Sequence, residues 1–299
     1  SPVHLLHDHG IGGIRVHEDL LGDDAPLLLH TLLGKVRRGD EFQQQLQGLS
    51  RIKLYLEDTD IQGRSRLEQL VAKLNLSMQV AALPDVDYEE SWKDSYPPQP
   101  IGEKLLVLPY WLADTDAQGR EKVILDPGLT FGTGAHPSTR MVMEAMEQLV
   151  QSGCRCLDLG SGSGILSIAA LRLGADSAIG VDIDPKAEDI ARENAAYNGF
   201  TAPAFTALTG NVTADRGLME QLSQSEYDIL LVNIVADVII GLAPTLPRFM
   251  TENTRLICSG ILDTRLEDVR AALTAAGLNI LQVRQQEDWR CVIAERSQR

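Results

Sequence analysis

Residues 155–173 join an apolar strand, Arg155 to Leu159, to a glycine turn, Gly160-Ser161-Gly162-Ser163-Gly164, and a helix, Ile165 to Leu173. A strand that turns through glycines straight into a helix opens a parallel βαβ unit, because parallel strands need a long crossover between them. The alternation continues downstream. Strands are predicted at Ser177 to Ile183, Phe205 to Leu208, Asp228 to Ile234, Arg255 to Ser259, Leu278 to Arg284 and Trp289 to Ala294. Helices are predicted at Thr139 to Gln151, Pro185 to Asn198, Val238 to Met250 (with Pro244 and Pro247 interrupting it) and Arg265 to Ala276. Near-continuous apolar strands alternating with helices predict an α/β fold, a doubly wound sheet covered on both faces. Only Gln285 to Asp288 join the last two strands, so that pair must be antiparallel.

Upstream the texture changes. Short strands at Ile14 to His17, Arg51 to Glu57 and Ser77 to Leu83 interleave with helices at Asp40 to Leu49 and Ser65 to Leu74. That mixture predicts a small α+β domain over residues 1–85. A junction at 86–101 follows, where Pro97, Pro98 and Pro100 forbid a helix. The large domain is then 102–299, entered through strands at Lys104 to Pro109 and Lys122 to Leu125 on either side of an Asp116 to Gly119 turn. The chain opens on Ser1 rather than Met, so its natural start is expected upstream.

Composition removes several classes. With 42 acidic and 27 basic side chains the formal net charge is −15, which argues against direct nucleic-acid binding, a process that needs a basic surface. No apolar run is long enough to span a bilayer. The cysteines, Cys154, Cys156, Cys258 and Cys291, are few and irregularly spaced, which reads as a reduced, cytoplasmic protein. No metal site is expected. His4, His7 and His9 read as a solvated chain end, and Met141, Met143 and Met146 as helix packing.

The chemistry concentrates at three places. The first is Asp158-Leu159-Gly160-Ser161-Gly162-Ser163-Gly164. Glycines allow close ligand approach, and the following helix N-terminus favours an anion. Asp182 ends the next strand, 22 residues after Gly160, where a carboxylate can accept the ribose hydroxyls of an adenosine. A dinucleotide fingerprint would place glycine at 165 or 167, which here are Ile165 and Ser167. The D-x-G-x-G-x-G spacing fits S-adenosylmethionine instead, with Asp158, Gly160, Gly162, Gly164 and Asp182 as cofactor contacts. The second place is Asp126 to Thr139, read as a lid over the cofactor. Phe131 and Thr133 are expected to touch the ligand, Thr139 to cap the next helix or meet the cofactor, and His136 to act as a hinge or a base. The third is Asn233, at the end of the Leu231-Val232-Asn233-Ile234 strand. Its side-chain oxygen can hold a substrate amine. Amino-group methyltransferases often carry Asn-Pro-Pro-Tyr here, whereas this chain reads Asn-Ile-Val-Ala.

Together with Val181-Asp182-Ile183-Asp184-Pro185, Ser259-Gly260-Ile261-Leu262, Glu287-Asp288-Trp289, Tyr88-Glu89-Glu90-Ser91-Trp92 and Ile101-Gly102-Glu103-Lys104, these segments resemble the PrmA family, methyltransferases of the large-subunit ribosomal protein L-eleven (L11). The likeness runs from about residue 85 to 296, with a trace at Gly10 to Glu18. Ala135 and Ser161 depart from the family's usual Thr and Cys, and the family's first strand has no match. The resemblance implies a Rossmann-like, seven-stranded class I methyltransferase sheet with its last strand antiparallel, and a small N-terminal α+β domain for substrate recognition. It implies cofactor contacts at Thr139, Gly160, Asp182 and Asn233, with S-adenosylmethionine as cofactor. It implies methyl transfer to lysine side chains and the N-terminal amine of L11, free or in the ribosome. Another protein or a small amine as acceptor, or a non-catalytic cofactor-binding module, are the competing readings.

Overall fold

The computed structural model describes residues 15–21, 50–55, 65, 72, 93, 96–127 and 136–297. The chain divides into two units, Ser1–Val86 and Asp87–Arg299. In the first, β1 (Arg15–Leu21) and β2 (Ser50–Tyr55) pair antiparallel, with Arg15 opposite Tyr55. Apart from Ser65 and Ala72, both helical, the other elements expected before residue 86 lie outside the described residues. So does the Tyr88 to Trp92 segment of the resemblance.

The second unit opens with a three-stranded sheet. β3 (Gln99–Ile101) pairs antiparallel with β4 (Leu105–Pro109), and β4 pairs parallel with β5 (Glu121–Leu125). β4 and β5 therefore do not form a hairpin. A 3-10 turn at Tyr110–Leu112 starts a crossover, and the Asp116 to Gly119 turn belongs to that crossover. β3 itself falls inside the segment expected to be a linker.

A seven-stranded sheet follows. Its strands are β6 (Arg155–Leu159), β7 (Ser177–Asp182), β8 (Phe205–Thr209), β9 (Tyr227–Asn233), β10 (Met250–Leu262), β11 (Leu278–Gln286) and β12 (Trp289–Arg296). The order is β11-β12-β10-β9-β6-β7-β8. All neighbours from β10 to β8 are parallel, while β12 is antiparallel to both β10 and β11. The helices are α1 (Pro137–Leu149), α2 (Ile165–Arg172), α3 (Pro185–Tyr197), α4 (Arg216–Ser223), α5 (Ala236–Leu242) and α6 (Leu266–Ala275).

Period-two alternation in the strands sorts side chains into two cores. Ile229 and Leu231 join Met143, Ile168 and Ala191 from α1, α2 and α3 on one face. Leu230 and Val232 join Leu222, Ile239 and Val269 from α4, α5 and α6 on the other. Helix starts follow local chemistry. Asp184 accepts from Lys186 N–H with Pro185 in the first turn, and Asp215 accepts from Leu218 N–H. α4 was not anticipated from the sequence. Asp215 as cap with Leu218 and Leu222 four apart was the signal available, on a helix of only 8 residues. The helix expected over 238–250 breaks instead. α5 stops at Leu242, and a separate 3-10 turn at Leu246–Phe249 carries Pro247 in its first turn. Among the described residues no helix is long and apolar enough to cross a membrane.

The chain runs β6, β7, β8 outward and then crosses back to place β9 on the far side of β6. The crevice between the carboxyl ends of β6 and β9 is thus the topological switch point, where open α/β sheets bind ligands. Ile234, the residue after β9, is gripped there from both sides. A Cβ on Gly160 would lie 2.4 Å from Ile234 Cγ2, and one on Gly260 would lie 2.3 Å from the Ile234 carbonyl oxygen. Gly260 also has φ +83°. Gly260→Ala should therefore cost about 3 kcal/mol, the sum of backbone strain and overpacking, and lower the melting temperature by about 10 °C. Gly119→Ala shares the φ of +83° but meets nothing within 4 Å, so it should cost about 1 kcal/mol. Thermal denaturation of both variants checks this; equal losses would mean that the grip on Ile234 contributes nothing.

Candidate functional site

The switch point is built from the glycine turn outward. Gly160, Gly162 and Gly164 all have positive φ, at 78°, 50° and 78°, so each needs glycine's backbone freedom. The turn is braced on β7: Gly160 N–H and Ser161 N–H both donate to the Val181 carbonyl, at 2.8 and 3.1 Å. Gly162 N–H donates to Asp182 Oδ2 at 2.9 Å, and Asp184 N–H donates to Asp182 Oδ1 at 3.0 Å. Asp182 thus holds the loop's shape, and each carboxylate oxygen keeps lone-pair capacity for a further donor. α2 begins at Gly164 with no side-chain cap, which leaves its positive end available to an anion.

Beneath the turn lies Asp158, which is fully buried. Ser167 Oγ donates to its Oδ2 at 2.8 Å, while its Oδ1 has no partner. Burial pushes its carboxyl up to about 7, and the nearby Asp182 adds to the rise. At the end of β9, Asn233 Nδ2 donates to Thr139 Oγ1 at 3.1 Å, and Asn233 Oδ1 is buried without a partner. A buried acceptor with no donor is costly unless a ligand supplies one. Thr139, in the first turn of α1, is buried as well.

His136 stands at the N-cap of α1. Its Nδ1 accepts from Ser138 N–H at 3.3 Å and lies 2.8 Å from Ser138 Oγ. Its ring meets the Trp289 ring edge-on, with centroids 4.5 Å apart. Burial lowers its pKa, opposed by Glu287, so at neutral pH the ring is mainly neutral. The capping bond commits Nδ1. Phe131 and Thr133 lie outside the described residues, so the structure brings together Thr139, Asp158, Gly160, Gly162, Gly164, Asp182, Asn233 and His136 of the expected set. Among the described residues no group of His, Cys, Asp or Glu could hold a metal ion.

Three contributors were not read from the sequence. Asn194 Nδ2 donates to the Ser163 carbonyl at 2.9 Å while its Oδ1 accepts from Asp126 N–H at 2.8 Å, so it ties the glycine turn to the segment leading into residues 128–135. Asn198 pairs with Ile124 like an added strand, accepting from its N–H at 2.9 Å and donating to its carbonyl at 2.7 Å. Ser259 Oγ donates toward the Ser138 and Arg290 carbonyls at 3.1 and 3.2 Å, locking the start of α1 to β10 and β12. The available signal was two asparagines four apart on the face of α3 that is otherwise alanine.

The fold and site define a class I methyltransferase-type protein: a Rossmann-like seven-stranded sheet with an antiparallel β12 and a glycine turn at the switch point. The chain belongs to the family described as Ribosomal protein L11 methyltransferase (PrmA), whose sequence model matches residues 3–297. The match extends past the expected likeness from 85 to 296 and takes in the N-terminal residues as well. The L11 methyltransferase of Ectopseudomonas mendocina is 40% identical over 66% of this chain and 64% of its own length. That of Symbiobacterium thermophilum is 36% identical over 70% of this chain and 65% of its own. This chain therefore spans just under two thirds of these two relatives. An Exiguobacterium L11 methyltransferase is 35% identical over 98% of this chain and 93% of its own. A crystal structure of the ribosomal protein L11 methylase of Lactobacillus delbrueckii subsp. bulgaricus superposes with TM-score 0.61 at 29% identity, covering 68% of this chain and all of that one.

The charge state of Asp158 is testable. Its folded pKa, about 7, exceeds the ordinary 3.8, so the folded state holds a proton that the unfolded chain releases between those values. Stability from this group is full below the ordinary value and falls as pH rises through the folded one. In the ligand-free protein, Asp158→Asn should gain in melting temperature relative to the parent as pH rises from about 5 to about 8. A gap independent of pH would mean that Asp158 is charged and compensated throughout.

Proposed function

We propose that this chain transfers methyl groups from S-adenosylmethionine to amines of ribosomal protein L11, lysine side chains and the N-terminal amine. The observation that carries the proposal is Asn233 Oδ1, buried and partnerless at the switch point of a PrmA-family fold. The residues present fit the cofactor. Asp182 has lone pairs for ribose hydroxyls, the uncapped start of α2 suits a carboxylate, and the partnerless Asp158 Oδ1 suits an ammonium group. Ile183, 73% exposed directly after Asp182, offers an apolar face to a base. The cofactor, when bound, supplies an electrophilic methyl group on a sulfonium whose leaving form is a neutral thioether.

The chain's own work is alignment. Thr139 Oγ1 fixes the Asn233 amide so that Oδ1 faces the acceptor. Oδ1 then accepts an acceptor N–H and turns the nitrogen lone pair toward the methyl group. A lysine must be neutral to react, and its ordinary pKa of about 10.4 leaves little neutral form at pH 7. Desolvation beside half-buried Asn233 and buried Thr139 lowers that value, and the proton passes to water. His136, with Nδ1 committed to Ser138, positions α1 rather than taking the proton. Residues 1–85 serve the recognition of the protein acceptor, and the protein acts in the cytoplasm.

Two variants separate the roles. Asn233→Ala should lower kcat by about 10²-fold through misalignment. Asp182→Ala should raise the Kd for S-adenosylmethionine by about tenfold or more, through lost hydrogen bonds to a charged group. Labelled-methyl transfer to purified L11 with mass spectrometry, alongside calorimetric cofactor binding, checks both. Full turnover by Asn233→Ala at unchanged cofactor affinity would refute the role of Asn233.

A further inference from the structure

Beyond Asn233 the rim of the sheet carries apolar side chains that the fold does not cover. Val235, Val238 and Leu262 are 63%, 48% and 44% exposed. The elements that carry them are joined. Ile234 N–H donates to the Ser259 carbonyl at 3.2 Å, joining the ends of β9 and β10. Arg265 binds Asp237 at 2.7 Å and Asp268 at 2.9 Å, clipping the start of α5 to the turn after β10. Leu262 lies opposite Trp289, whose ring meets His136. Asp263 N–H donates to the Asp288 carbonyl at 2.8 Å, and the Asp263 carboxylate binds Arg290 at 2.7 Å. These bonds tie the start of α5, the end of β10 and the turn before β12 together.

Its charge is one-sided. Segments 235–238, 262–268 and 286–290 hold six carboxylates (237, 263, 267, 268, 287, 288) against two guanidiniums (265, 290). Those guanidiniums bind Asp237, Asp268 and Asp263, and Arg270 just beyond binds Glu267 at 3.5 Å, which leaves Glu287 and Asp288 to carry the excess. Position adds direction: Asp182 marks the ribose side of the switch point at β7, so the opposite side, at the ends of β9 and β10, is where the acceptor enters.

We infer that this rim docks the stretch of acceptor polypeptide flanking the target amine, a segment with an apolar side chain for Val235, Val238 and Leu262 and lysine or arginine neighbours for the surrounding carboxylates. The inference rests on transfer to a polypeptide amine. A small amine would fill the pocket at Asn233 and leave the rim unused. The carboxylates steer a basic chain inward and the apolar patch holds it in register.

The test is steady-state methylation of purified L11 by the full chain and by the double variant Val238→Lys, Leu262→Lys, with the cofactor Kd measured on each. The double variant should raise the KM for the protein acceptor about tenfold at unchanged kcat and cofactor Kd. Added salt should raise the parent's KM for the same acceptor. A double-variant KM within about twofold of the parent's would overturn the docking surface while leaving the methyltransferase reading in place. A parent chain that binds S-adenosylmethionine yet methylates no protein would overturn both.

Discussion

The site depends on how closely β9 and β10 approach the glycine turn after β6. Ile234 is the wedge. Its side chain fills the space where Gly160 lacks a Cβ, and its backbone fills the space where Gly260 lacks one. With both positions glycine, Ile234 fits between the glycine turn, which its side chain meets, and β10, which its backbone meets. Asn233, immediately before the wedge, is thereby held at the switch point, opposite Thr139 on α1. Protein interiors are close-packed, so a single added methyl on either side has to displace the wedge and Asn233 with it.

Around this contact the polar groups fall into two kinds. Asn194, Asn198 and Ser259 are satisfied and act as fasteners between elements distant in sequence. They replace backbone pairing where α3 meets β5 and where α1 meets β10. Asp158 Oδ1 and Asn233 Oδ1 are buried without partners. Each fastener contributes about 1 kcal/mol, whereas each orphaned oxygen costs about 1–3 kcal/mol. The fold therefore loses stability at the switch point and recovers it in the surrounding network. The raised carboxyl of Asp158 has the same origin: where no cation faces the group, burial favours its neutral form.

The candidate site also has two sides. Asp182 ends β7, with exposed Ile183 directly after it. Asn233 ends β9 and bonds Thr139 on α1. The strand order produces this division, because β9 enters the sheet on the opposite side of β6 from β7. The reversal therefore sets a carboxylate on one side of β6 and an amide oxygen on the other.

Much of this was legible in the sequence because it is local. Strand–helix alternation, the glycine turn, Asp182 at a strand end and the antiparallel close of β11 and β12 follow from periodicity, φ requirements and loop length. Those are properties of neighbouring residues. The elements that were misread are those whose outcome is not local. β4 and β5 read as strands around a turn, yet pair parallel because the chain between them crosses over. α4 was too short for its stripe of two leucines to register, and Pro244, directly after the Ala243 C-cap, cannot continue α5. Residue types and spacing alone singled out Asp158, Asp182 and Asn233 as candidates. That Asn233 leaves its oxygen unpaired, that Asp182 braces Gly162, and that Ile234 lies between Gly160 and Gly260 were decided only by tertiary structure. Contacts between residues 20 to 94 positions apart depend on the order of strands in the sheet, which no local pattern encodes.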